Sequence, residues 1–80
     1  MKDWRQEDNA LIRELHLRDF DEALGFVERM AAHAVDYGRR PDVSIEAGRV
    51  RLSIPNRHNA GITEAERRLA AKVDAVIDAQ

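Results

Sequence analysis

The run Val43 to Ile54, VSIEAGRVRLSI, alternates apolar and polar residues twice over and breaks only at the Gly-Arg in its middle. A helix would spread that alternation around its whole circumference, whereas a strand sends successive side chains to opposite faces. The run therefore predicts a β-hairpin, with Val43, Ile45 and Ala47 on one face of the first strand and Val50, Leu52 and Ile54 on one face of the second. A sheet with one apolar face must be covered. The covering elements stand on either side of it in the sequence.

Residues 19–38, DFDEALGFVERMAAHAVDYG, predict a helix, with Asp19 as N-cap and Glu22 three residues on. Phe20, Leu24, Val27, Ala31 and Ala34 recur at helical spacing as an apolar stripe, widened by Phe26 and Met30. Gly38 stops this helix, and Pro41 forbids its continuation. Pro55 closes the hairpin, the loop NRHNAG follows, and Thr63 with Glu66 opens a second helix with Leu69, Val73, Val76 and Ile77 on its apolar side. Leftover apolar surface through Ala70, Val73 and Ile77 is a candidate subunit contact. Towards the start, ALIRELHL reads as a half-buried strand, and KDWRQE before the turn formers Asp8 and Asn9 reads as its short hairpin partner. Trp4 is expected in the core.

The order strand, strand, helix, strand, strand, helix predicts one α+β domain over residues 1–80: a two-layer sandwich with a four-stranded antiparallel sheet and helices on one face. A chain of 80 residues without cysteine has no cross-link to reinforce its small core, so self-association, most simply a homodimer, is expected. The N-terminal ten residues lack the apolar core of a signal peptide, and no segment approaches a membrane span, which gives a cytoplasmic expectation.

Charge is distributed unevenly. Residues 39–58 hold five arginines against Asp42 and Glu46, although the chain as a whole carries −2. A basic stretch of that size within an acidic chain lacks the broad positive field that nucleic acid requires. Each arginine alone reads as a solvated end of a strand or loop. His16 on a strand and His33 on a helix share no metal-ligand spacing, so neither a metal nor a cofactor is expected.

The segments LRDFDEALGFVERMA, RRPDV and AGITEAERRLAAKVD resemble the pterin-4a-carbinolamine dehydratases. That resemblance implies the element order already read. It also implies an active-site cleft in which a His-His-Pro run falls on Arg39, Arg40 and Pro41, and a Thr-His pair on Asn56 and Arg57. Further family positions fall on Val35, Ala47 and Glu66, where an acidic residue, an aromatic and an aspartate are expected. Dehydration of a carbinolamine requires a group that exchanges a proton near neutrality, which histidine does and arginine does not. The resemblance thus implies the scaffold without the catalytic set, unless the neighbouring His58 substitutes. It implies further that Arg39, Arg40 and Arg57 converge on one basic cleft, suited to an acidic partner. The chain is similar in this to the pterin-dehydratase-like RuBisCO assembly factors of α-carboxysomes, small chaperones of carbon fixation. An active dehydratase is the alternative.

Overall fold

The computed structural model describes residues 3–56 and 61–79. Four strands, β1 (Arg5–Glu7), β2 (Ala10–His16), β3 (Asp42–Glu46) and β4 (Arg49–Pro55), form one antiparallel sheet in the order β1-β2-β4-β3. Helices α1 (Phe20–His33) and α2 (Glu64–Asp78) cover one face of it. The two-layer α+β architecture is the one the sequence predicts.

Register follows the side-chain alternation. Leu11 pairs with Ile54, Leu15 with Val50 and Ile45 with Val50, so one face carries Leu11, Leu15, Val50, Leu52, Ile54 and Ile45. Against it pack Ala23, Phe26, Met30 and Ala34 from α1 and its C-cap, and Leu69, Ala70 and Val73 from α2. The Ala47-Gly48 turn is fixed by contact with the segment that joins β2 to α1. A Cβ on Gly48 would lie 2.2 Å from the Leu17 carbonyl oxygen, and the Leu17 N–H donates to the Gly48 carbonyl at 2.7 Å.

The buried row of α1 is rotated from the expected stripe. Ala23, Phe26 and Met30 face the sheet, while Phe20 and Leu24 are exposed. The two rows lie side by side on the helix, and spacing alone does not choose between them. Helix α1 also ends at His33, five residues before Gly38. Ala70 and Val73 are fully buried within the core, which removes them from any subunit contact; Val76 and Ile77 are half-buried against it. Ala47, expected to continue the inward face of β3, sits in the turn with φ 54°, and Val43 is exposed.

One polar residue occupies the core face of β2. Arg13 pairs with Leu52, so it points towards the helices, and its side chain is only 13% exposed. Its Nη1 lies 2.6 Å from Oδ1 of Asp74 on α2, the oxygen to which the buried Trp4 indole donates at 2.9 Å. A charged pair and an indole N–H thus satisfy one another at the end of the core.

Candidate functional site

The end of β4, the loop before β3 and the N-terminus of α2 meet around one carboxylate. Helix α2 begins at Glu64 because Thr63 is extended, and Glu66 in its first turn reaches back to the Thr63 backbone N–H at 2.6 Å. The Thr63 hydroxyl donates to the same oxygen at 2.6 Å, and the Asn56 amide at 3.1 Å. Arg39 supplies the other side: Nη1 donates to Oε2 of Glu66 at 3.0 Å, and Nη2 to the Pro55 carbonyl at 3.1 Å. The Glu66 side chain is 3% exposed. Burial pushes its carboxyl up, but the donors from Thr63, Asn56 and Arg39 outweigh that and hold it at about 2. The capping box visible in the sequence is therefore one half of an ion-pair corner in which the carboxylate is buried and Arg39 is half-buried.

Arg39 and Arg40 do line one cleft, of about 270 Å³, with Gly38 and Pro55. They point in different directions within it. Arg39 is turned inward onto Glu66, whereas Arg40 is exposed and donates through Nε to the Ala31 carbonyl of α1 at 3.0 Å. Pro41 and Asn56 are buried. The expectation that each arginine is a solvated loop end fails for Arg39, because a buried carboxylate needs a cation beside it. Arg57 and His58 lie outside the described residues, so the three-arginine cleft is seen at two of its three positions.

Arg49 and Arg51 belong elsewhere. They project from β4 on the open face of the sheet, where Arg49 pairs with Glu46 at 2.6 Å and Arg51 with Glu7 at 3.5 Å. Arg51 also stands opposite Glu14 across the ladder, with Arg5 bridging Glu7 and Glu14. His16 is on this face, opposite Arg49, and His33 ends α1 beside Lys72 and Ala75.

Val35, the position at which the resemblance expects an acidic residue, offers its carbonyl to Lys72 at 2.9 Å. The carboxylate at this place is the next residue, Asp36, which the helical rhythm of residues 19–38 would put inside α1 but which lies beyond its end. It is buried between Arg68 and Lys72, each at 3.2 Å. Burial raises its carboxyl, and the two cations more than offset this and bring it below the usual range. The signal that α1 stops before Asp36 lies in Tyr-Gly-Arg-Arg-Pro, since a residue preceding proline is pushed out of helical geometry and a turn must come first.

Residues 1–76 match the family model described as pterin 4 alpha carbinolamine dehydratase. A provisionally named pterin-4-alpha-carbinolamine dehydratase of Chloroflexus aurantiacus is 36% identical over 75 residues, covering 94% of this chain and 81% of the relative. One of Thermomicrobium roseum, named in the same way, is 36% identical over 70 residues, with 88% and 75% covered. In three dimensions, the transcriptional coactivator/pterin dehydratase from Brucella melitensis superposes with a TM-score of 0.77 at 26% identity, over 94% of this chain and 82% of that one. With the match over residues 1–76, the sheet order and the two covering helices, this chain belongs to the pterin-4a-carbinolamine dehydratase family.

Proposed function

We propose that this chain is a non-catalytic member of its family that binds a protein client through the basic cleft, acting as a RuBisCO assembly factor associated with α-carboxysomes. One observation carries the loss of chemistry: Arg39, at the first family histidine position, is spent on Glu66. Around the cleft, Arg39 and Arg40 are guanidinium groups, Asn56 does not titrate, and Glu66 releases its proton at about 2. Among the described residues there, none exchanges a proton near pH 7, as expulsion of water from a carbinolamine requires. The choice of client rests on the similarity to the assembly factors. Arg40 supports it by offering an exposed cation at the mouth of the cleft. The same reading includes a homo-oligomer, supported by exposed Phe20 and Leu24 on α1 and by the open edge of β3 with exposed Val43.

Co-expression with a RuBisCO operon, scored by assembled enzyme, tests the client. The variant to compare is Arg40→Ala with Arg57→Ala, because Arg39 is needed inside the fold. Lower yield with a folded variant is expected, and equal yield contradicts the cleft as the client site. Active dehydration is the second reading, favoured by the names of the relatives at 36% identity. Turnover of a 4a-hydroxytetrahydropterin by the purified protein separates the two: the first reading expects the background rate, and enzymatic turnover establishes the second.

A further inference from the structure

Tyr37 stands where the fold buries almost none of its ring. Residues 36–39 make a tight reversal closed by two backbone hydrogen bonds, Asp36 N–H to the Arg39 carbonyl at 3.2 Å and Arg39 N–H to the Asp36 carbonyl at 2.9 Å. Both central residues are left-handed, Tyr37 at φ 52° and Gly38 at φ 77°, the pattern of a turn that favours Asn-Gly. A Cβ-bearing aromatic is disfavoured there by crowding against its own backbone. Burial gives no compensation, for Tyr37 is 88% exposed. A residue held in an unfavourable conformation, with its ring presented to solvent, has the pattern of a binding residue.

Its surroundings have one sign of charge to spare. The Arg68 guanidinium lies 5.6 Å from the centre of the Tyr37 ring, and Arg68 and Lys72, one turn apart on α2, both hold the Asp36 carboxylate. Asp36 thereby fixes the two cations and is itself used up, while 44% of the Arg68 side chain and 43% of the Lys72 side chain stay exposed. Arg40, three residues beyond the tyrosine, adds a third exposed cation. We propose that Tyr37, with Arg40, Arg68 and Lys72, anchors an acidic segment of a protein partner: the ring packs against an apolar side chain and the cations pair with carboxylates. Tyrosine and arginine are the residues that dominate binding energy when an interface desolvates them. A peptide fits better than nucleic acid, since the patch has a single aromatic and the chain as a whole carries −2. This inference rests on the reading of the chain as a binding protein, and it does not depend on which client is bound.

The test uses the full chain against arrays of twelve-residue peptides: acidic ones with a single hydrophobic residue, basic ones and neutral ones, with a single-stranded oligonucleotide as a further probe. Preferential capture of acidic peptides is expected, weakened at least tenfold by Tyr37→Asn and by Arg68→Gln, with the Tm of Tyr37→Asn unchanged or raised. Capture without preference for acidic peptides, capture unaltered by Tyr37→Asn, or tighter binding of the oligonucleotide overturns the proposal. A lowered Tm in Tyr37→Asn overturns it too, by assigning the ring to the fold. If RuBisCO yield ignores the protein while acidic peptides still bind through Tyr37, only the client reading fails. If RuBisCO responds but Tyr37→Asn changes nothing, only this inference fails.

Discussion

The Glu66 corner and the open face of the sheet are made from the same pairs, arginine beside glutamate, and they differ in their access to water. On the open face Arg49, Arg51, Arg5, Glu46, Glu7 and Glu14 form a lattice of contacts between largely solvated side chains. Such pairs gain little over hydration. At the corner, the Glu66 carboxylate is buried and accepts hydrogen bonds from Arg39, Asn56 and the Thr63 backbone and hydroxyl. Breaking a pair there strands a buried charge, which costs far more than the pair itself contributes. An arginine-rich stretch is therefore no unit: burial of the partner, not spacing along the chain, decides which arginine the fold requires.

The largest effect expected from this contrast is that of Glu66→Ala. It leaves Arg39, Asn56 and the Thr63 hydroxyl without their common acceptor, and should destabilise the domain by about 3 kcal/mol or more in urea unfolding. An effect as small as that of a surface mutation would abolish the contrast.

Acid should act through the same residue. The folded Glu66 carboxyl sits at about 2, below its ordinary 4.5. A depressed folded pKa gives stability that is complete above the unfolded value and is lost as pH falls through the folded one. Stability should therefore decline between about pH 5 and pH 2, with a contribution from Glu66 on the order of 2 to 3 kcal/mol. Asp36 and Asp19, also lowered, add to the decline in the same direction. Unfolding of Glu66→Gln across the same range should show a shallower slope, and a slope equal to that of the unmodified protein contradicts the assignment.

Asp74→Ala probes an intermediate case, a half-exposed carboxylate that accepts from both Trp4 and Arg13. Loss of about 1 to 3 kcal/mol is expected, with a change in tryptophan fluorescence reporting the freed indole. Smallest of all should be Arg51→Ala on the open face, within about 0.5 kcal/mol of the unmodified protein, with any difference shrinking as salt is added. A cost above about 1.5 kcal/mol would show the solvated lattice to be a structural network.

The legible part of this molecule was the part governed by local chemistry. Alternation in VSIEAGRVRLSI and ALIRELHL, the caps at Asp19 and Thr63 and the end of the hairpin at Pro55 each specify geometry within a few residues, and the order of elements along the chain followed. What was not legible required knowing which groups share a space. Glu66 reads equally well as a solvated cap, and only the approach of Arg39 and Asn56, 27 and 10 residues away in sequence, makes it a buried ion. Asp36 and Tyr37 look helical because AAHAVDYG keeps the helical rhythm; the left-handed turn that removes them from α1 is imposed by the need to reach Pro41 and enter β3. Arg13 is a similar case, since its place in the strand pattern puts it on the core face while its charge argues against it, and Asp74 on α2 resolves the conflict.

That Arg39 works inward, for the fold, is the claim on which the proposed loss of chemistry at its position depends. A double-mutant cycle of Arg39→Ala and Glu66→Gln, measured by urea unfolding at neutral pH, isolates the interaction from the other contacts of each residue. A coupling of about 2 kcal/mol or more is expected, with Arg39→Ala alone clearly destabilising. A coupling below about 0.5 kcal/mol, with Arg39→Ala as stable as the unmodified protein, would contradict it and return Arg39 to the solvent-facing cluster.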